Sequence, residues 1–161
     1  MSWQSVFFSA NGRMGQRDFW IAALILIVAW IVSHVLHFFA FFAWLLLTYC
    51  WICILSKRLH DAGRSGWLNL VPFILGCGAG LISLVIGGVA AITALAMGGS
   101  HADWTMLLGS MGIIAGLWGV VFLVDLVFLL WVGLGHSDTG DNRYGPPPVS
   151  WLGSPAPPAA A

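Results

Sequence analysis

Charged residues are scarce in this chain. Only 7% of its 161 residues are Asp, Glu, Lys or Arg, whereas an ordinary soluble domain carries about 25%. The six acidic residues are all aspartates, and six basic residues balance them to a net charge of zero. So few charges cannot cover the surface of a soluble globule, which excludes a soluble enzyme and a disordered chain. Without a net positive charge the chain is not a conventional nucleic-acid binder, and no nucleic acid is expected as a partner.

Apolar residues fill the long stretches that contain no charged residue. They make up 60% of the chain, which has ten Trp and ten Phe. Runs of 38, 38 and 21 uncharged residues separate Asp18 from Lys57, Arg64 from Asp103, and Asp103 from Asp125. A bilayer core of about 30 Å requires about 20 apolar residues in a helix. Because the runs are continuously apolar rather than alternating, they predict membrane-spanning helices and not a barrel.

The runs predict four spans. His34 and His37 form a polar dip that divides the first run, and Pro72 marks a bend in the second, which is long enough for one bent span. The predicted spans cover residues 19–37, 40–57, 67–97 and 105–133. The fold class is therefore an all-α integral membrane protein, a four-span helical bundle with a cytoplasmic polar cap. Residues 1–145 are expected to form a single membrane domain, and 146–161 a mobile Pro/Ala-rich tail.

The basic residues predict the orientation of the chain. Four spans with both ends inside put all six Lys and Arg residues in the cytoplasm, as the positive-inside rule prefers. We therefore expect a multi-pass protein of the bacterial inner membrane with both termini cytoplasmic. A five-span arrangement, in which the second long run is split, moves only Arg143 to the other side. The side of the C-terminus is thus open between the two counts.

Three polar segments form the predicted polar cap: residues 9–20, 57–67 and 135–148. Arg13 and Arg17 stand one helical turn apart and are expected to form a fork for phosphate or carboxylate. Arg58 and Asp61 are spaced i, i+3 and are expected to pair on one helical face. The candidate ligand-binding residues are Arg13, Arg17, Arg58, His60, Asp61, Arg64, Asn142, Arg143 and Tyr144. The alternative is structural, with the arginines anchoring the chain at lipid headgroups and pairing with aspartates to hold the loops together.

The same segments carry a family resemblance. GRMGQRDFW, RLHDAGRSGW and GDNRYGPPP resemble, in this order, the three signature blocks of the bacterial membrane family called domain of unknown function 805. The matching residues are Arg13, Arg17, Asp18, Trp20, Arg58, Leu59, His60, Asp61, Gly66, Trp67, Asn142, Arg143, Tyr144, Gly145 and Pro146. The resemblance implies a small multi-pass protein of the bacterial inner membrane whose activity is not established.

Two further sets of residues are candidates outside the cap. Asp125 lies about ten residues from the cytoplasmic end of the fourth span, and an intramembrane acid is a functional candidate by default. A structural hydrogen bond, which we favour, and a contact in an oligomer are the alternatives to a role in transport. His34, His37, His101 and Asp103 have the side chains of a transition-metal site. Nothing in the sequence fixes their loops relative to one another, so we expect no metal and no cofactor.

These observations support hypotheses of three classes. In the first, the cap binds an anionic lipid headgroup or metabolite, or docks the chain as an accessory subunit onto other membrane subunits or a second copy. In the second, the chain is a small transporter or channel that uses Asp125. In the third, it is a membrane enzyme acting on a lipid-linked phosphate, with His60 and Asp61 as acid–base groups. The sequence has no evident nucleophile–base pair or metal triad, so we assign no catalytic residue.

Overall fold

The computed structural model of the chain describes residues 2–35, 40–96, 104–150 and 152. Within these ranges the regular structure is helical, and the one β-type pairing is an isolated bridge between Asn142 and Gly145. The helices are α1 (Trp3–Phe8), α2 (Gln16–Val35), α3 (Ala40–Asp61), α4 (Leu70–Ala96) and α5 (Trp104–Leu134), with a 3₁₀ turn at Gly66–Asn69.

Four helical segments are long and apolar enough to cross a membrane. They are Gln16–Val35, Phe41–Asp61, Gly66–Ala96 and Met106–Leu134. The prediction of an all-α, multi-pass membrane protein with four spans is confirmed. The five-span alternative is not supported, because the second long run forms one continuous helical segment from Gly66 to Ala96. Of the residues considered for a metal, His37, His101 and Asp103 lie outside the described residues.

The helix ends follow from residues at the span boundaries. α2 begins at Gln16, three residues before the predicted start, and brings Asp18 into its first turn, where a carboxylate is favourable at a helix N-terminus. Pro72 lies in the first turn of α4. The first N–H groups of a helix have no intrahelical acceptor, so proline is tolerated there. α4 therefore runs past Pro72 without a break.

The chain divides into two compact units. The first comprises residues 1–69 and 130–161 and contains α1, α2, α3, the 3₁₀ turn and the end of α5, and the second comprises residues 70–129. The buried apolar residues of the first unit are Val6, Met14, Phe19, Ala22, Ala23, Leu26, Cys50, Cys53, Ile54, Leu59 and Val132. In the second unit only Ala79, Ala90 and Val121 are buried among the described apolar residues. All three predicted cap segments therefore belong to the first unit.

Candidate functional site

The end of α3 places a buried carboxylate between two arginines. The Oδ2 atom of Asp61 accepts a hydrogen bond from Arg58 Nη1 at 2.6 Å, which confirms the predicted i, i+3 pair. The Oδ1 atom accepts from Arg13 Nε at 3.1 Å and lies 3.0 Å from Arg13 Nη2. All three side chains are buried. We call Arg13, Asp61 and Arg58 the ion-pair cluster.

Arg13 connects three parts of the chain. Besides Asp61, its Nη1 donates to the carbonyl oxygens of Gly140 at 2.7 Å and Gly145 at 3.2 Å, and its Nη2 donates to that of Asp138. A guanidinium has five N–H groups. In Arg13 all three guanidinium nitrogens donate to acceptors of the protein itself. This side chain therefore holds the loop before α2 against α3 and the segment 138–145.

Arg58 fixes the end of α5 in the same way. Its Nη1 donates to Ser137 Oγ at 2.7 Å, and its Nη2 donates to the carbonyl oxygens of Gly135 and, at 3.5 Å, Gly133. The last carbonyls of a helix lack intrahelical donors, and a cation is favourable there. Of the three guanidinium nitrogens of Arg58, only the buried Nε has no hydrogen-bond partner among the described residues. The ion-pair cluster is therefore occupied almost entirely by the protein's own oxygen atoms.

The third signature block docks onto the last turn of α3. Asn142 Nδ2 donates to the carbonyl oxygen of His60 at 2.9 Å and to Asp138 Oδ2 at 2.8 Å. The N–H of Asp138 donates to the carbonyl oxygen of Asp61 at 2.8 Å. The N–H of Tyr144 donates to Asn142 Oδ1 at 2.9 Å, which closes the local turn. The carbonyl of Asp61 at the C-terminus of α3 thereby gains a donor, and that of His60, which also accepts from the N–H of Gly63 at 3.0 Å, gains a second one.

His60 is held as a positioned, stacked ring. Its imidazole stacks on the Tyr144 ring with centroids 3.8 Å apart and planes 9° apart. Its Nδ1 lies 3.2 Å from the carbonyl oxygen of Gly12. A carbonyl only accepts, so this contact assigns a proton to Nδ1. The carboxylate of Asp61 is directed to the arginines, so the two residues suggested for acid–base chemistry face separate partners.

Burial divides the six basic residues into two groups. Arg13, Lys57 and Arg58 are buried, and Arg17, Arg64 and Arg143 are exposed. Arg13 and Arg17 do not form one fork, because α2 begins only at Gln16 and Arg13 therefore precedes the helix. Lys57 was not among the residues predicted for the site. Its environment depends on a backbone contact with residues 5 and 6 that no sequence motif signals.

Two of the three exposed arginines, Arg64 and Arg143, each lie over an aromatic ring. Arg64 stacks over the Trp131 ring at 4.1 Å from its centroid. Arg143 lies over the Tyr144 ring at 4.8 Å, and its Nη2 donates to the carbonyl oxygen of Gly63 at 3.2 Å. The guanidinium of Arg143 is thus bonded to the residue that precedes Arg64 in the chain. We call Arg64 and Arg143 the arginine turn.

Arg17 lies apart from the arginine turn, beside the start of the predicted tail. It lines a surface groove of about 240 Å³ with residues of the first turn of α2 and with Pro148 and Ser150. Ser150 Oγ donates to Asp18 Oδ1 at 2.9 Å. The first described residues of the tail are therefore held against the N-terminus of α2. Residues 151 and 153–161 lie outside the described part of the chain.

Asp125 lies in the second unit. Its Oδ1 atom is buried and has no hydrogen-bond partner among the described residues. No other Asp or Glu occurs in the described part of residues 70–129. The hypothesis of transport through Asp125 thus concerns one isolated carboxyl group and stays a prediction.

Comparison with known proteins identifies the family. A family model described as a protein of unknown function (DUF805) matches residues 7–146. The chain is 28% identical over 165 residues to the Escherichia coli K12 protein named "Uncharacterized protein YiiR", covering 90% of this chain and 89% of that protein. The protein of the same name from strain O157:H7 matches equally well. No solved structure matches the chain. The family match spans the whole ion-pair cluster and the arginine turn, and the chain belongs to the DUF805 family of proteins of unknown function.

Proposed function

We propose that this protein resides in the bacterial inner membrane with its polar cap in the cytoplasm, and that the cap binds the phosphate of an anionic phospholipid. The observation that carries the proposal is the arginine turn. It presents two exposed guanidinium groups from two polar segments that the Arg143–Gly63 hydrogen bond joins, each backed by an aromatic ring. The ion-pair cluster beneath serves as the rigid support, because its donors are already engaged.

The stacked geometry suits phosphate recognition. A guanidinium that lies on an aromatic ring is held by cation–π attraction while its N–H edge stays free to face outward. Arg64 and Arg143 both meet this condition, and each keeps more donors than its described contacts use. Two N–H groups along one edge of a guanidinium can bind two phosphate oxygens at once. Two such edges, on polar segments joined by a hydrogen bond, support an anion site that needs no rearrangement of the buried cluster.

The position along the chain supports a lipid as the source of the phosphate. Trp67 follows Arg64 by three residues, begins the third span region and is 77% exposed. Tryptophan is enriched at the level of lipid headgroups. Anionic lipids also give the cytoplasmic leaflet a negative surface potential that attracts Lys and Arg next to a span. These features support a position of the arginine turn at headgroup level in the proposed orientation.

Removal of the arginine turn should weaken binding to anionic lipid. An interfacial arginine contributes about 1 kcal/mol to such binding, so Arg64→Gln with Arg143→Gln should lower the affinity about thirtyfold. The measurement is titration of the detergent-purified protein with phosphatidylglycerol by native mass spectrometry, with phosphatidylcholine as the neutral comparison. Arg17→Gln is the matched control, because Arg17 is exposed and lines a groove that contains neither Arg64 nor Arg143.

Two results would contradict this proposal. One is an unchanged preference for phosphatidylglycerol in the double variant. The other is an equal loss in the Arg17→Gln control, which would indicate an unspecific response to positive charge. A parallel titration with inorganic phosphate separates the possible sources of the anion. Binding of phosphatidylglycerol without competition by millimolar phosphate identifies a lipid site, and full competition identifies a site for soluble phosphate.

The proposed orientation is tested separately by cysteine labelling. In a variant with the three native cysteines replaced, single cysteines are placed at positions 11, 62, 101 and 141. An impermeant thiol reagent added to intact cells should label only position 101, because the other three positions lie in or beside the cap. After permeabilisation positions 11, 62 and 141 should label as well. Labelling of position 141 in intact cells would show that the C-terminal part of the cap lies outside.

A further inference from the structure

The short helix α1 is bound through its backbone to the side of α3. Tyr49 donates its hydroxyl to the carbonyl oxygen of Phe8 at 3.0 Å. Lys57 donates its Nζ to the carbonyl oxygen of Val6 at 2.9 Å and to that of Ser5. All three acceptors belong to the last turn of α1, where carbonyl groups have no intrahelical donor. Two side chains of α3 therefore cap the C-terminal end of α1.

These contacts lie at membrane depth. The span Phe41–Asp61 has 21 residues, which corresponds to about 31 Å of helix and matches the hydrocarbon thickness of a bilayer. Tyr49 precedes Asp61 by twelve residues, or about 18 Å along the axis. The carbonyl of Phe8 is therefore bonded near the middle of the span and not at its polar end.

The chain then returns to the polar cap within a few residues. The N–H of Met14 donates to the carbonyl oxygen of Lys57 at 3.2 Å, and Arg13 reaches Asp61 in the ion-pair cluster. Residues 9–13 thus connect the depth of Tyr49 with the depth of Asp61, both measured along the axis of α3. A segment that touches both levels on the flank of a spanning helix enters the bilayer from the cap side and leaves it on the same side.

Lys57 supplies an independent indication. A lysine near the end of a span normally extends its ammonium group to the water at the interface. Lys57 is instead completely buried, and its ammonium group ends on carbonyl oxygens of α1. Unpaired carbonyls in hydrocarbon cost several kcal/mol each, so non-helical backbone ends are tolerated there only when the protein satisfies them. The burial of Lys57 is accounted for by this requirement.

We infer that α1 is a re-entrant segment inserted into the leaflet on the cap side, where its exposed aromatic side chains contact lipid acyl chains. Val6 packs against the protein and is fully buried, whereas Trp3 is 60% and Phe8 45% exposed. Two large apolar side chains on the outer face of a segment held at this depth match an acyl-chain environment. Lys57 and Tyr49 are the anchors that keep the segment at this depth.

The depth of α1 is measured with a fluorescent probe. In the cysteine-free background, Trp3→Cys is labelled with a nitrobenzoxadiazole dye and the protein is reconstituted in phosphatidylcholine vesicles. Lipids with a spin label on the acyl chain should quench the dye several-fold more strongly than aqueous iodide does. The same dye at position 141, in the cap, gives the reference for a water-exposed site. Equal iodide quenching at positions 3 and 141 would overturn the inference.

The anchors are tested with the same probe. Lys57→Met keeps most of the length of the side chain but removes the ammonium group, and should raise iodide quenching of the dye at position 3 at least twofold. Tyr49→Phe removes a single hydroxyl and should shift the dye in the same direction to a smaller extent, which gives a second test if Lys57→Met fails to fold. Asp141→Asn, at an exposed position of the cap outside the arginine turn, is the control. Unchanged quenching in a folded Lys57→Met variant, or in Tyr49→Phe if Lys57→Met does not fold, would refute the anchoring role.

Discussion

Replacement of Asp61 by Asn should destabilise the protein by about 3–5 kcal/mol, because it removes one partner of a buried ion pair and leaves the other charges uncompensated. Asp61 is the only carboxylate in contact with Arg13 and Arg58 among the described residues, and all three side chains are buried. An asparagine of the same shape keeps the space filled but carries no charge. The expected result is a large fall in the thermal unfolding temperature in mild detergent, measured by a dye-free fluorescence scan.

Asp141→Asn is the matched control for this substitution. Asp141 is exposed in the same polar cap, so its replacement should change stability by no more than about 0.5 kcal/mol. Adding Arg58→Met to Asp61→Asn should cost less than the sum of the two single changes, since the second removes one of the uncompensated charges. Equal unfolding temperatures of the Asp61→Asn and Asp141→Asn variants would contradict a stabilising role of the cluster.

Together, the unfolding temperatures and the lipid-binding measurements also separate the two roles suggested for the polar cap, structural support and ligand binding. If the ion-pair cluster is the support and the arginine turn is the binding surface, Asp61→Asn lowers stability, whereas Arg64→Gln with Arg143→Gln lowers lipid binding and leaves the unfolding temperature near that of the wild type. All three guanidinium nitrogens of Arg13 donate to the protein, and of those of Arg58 only the buried Nε has no partner among the described residues. The geometry therefore favours support over ligand binding for the cluster.

The spans are predicted well from the sequence because they depend only on how many consecutive residues are apolar and uncharged. A gap of 38 residues without charge needs no tertiary information to indicate helices across a bilayer. The pair Arg58–Asp61 is predictable for the same reason, since a spacing of three within a helix fixes proximity. These local predictions agree with the structure.

The rest of the site depends on contacts that spacing does not encode. Arg13 meets Asp61 across 48 residues, and its neighbour Arg17 does not join it because the helix begins between them. The acceptors of Lys57 and Arg58 include backbone carbonyls, which carry no residue identity that a motif could reveal. Apart from the spacing of Arg58 and Asp61, nothing in the sequence distinguishes the six basic residues, and only burial separates the three that hold the fold from the three that face outward.

Replacement of Gly133 by Leu should be the most disruptive change in the spanning helices. A Cβ atom at this position of α5 would lie only 2.9 Å from Phe19 Cε1 and 2.9 Å from Trp20 Cε2. Phe19 is fully buried and has no room to withdraw, so α5 must shift away from α2. We expect a cost of about 3 kcal/mol or more from overpacking. The shift also withdraws the carbonyls of Gly133 and its neighbours from Arg58, so the ion-pair cluster should loosen as well.

Gly116→Leu, in the same helix, is the control that isolates this close approach. A Cβ at Gly116 meets no described atom within 4 Å, and leucine favours a helix over glycine by nearly 1 kcal/mol. The control should therefore leave the thermal unfolding temperature in mild detergent unchanged or slightly raised, while Gly133→Leu lowers it by many degrees. Similar temperatures for the two variants would mean that the end of α5 is not packed against Phe19 and Trp20. In that case the contacts of Arg58 with the end of α5 would lose their structural basis, whereas the contact of Arg58 with Asp61 within α3 would remain.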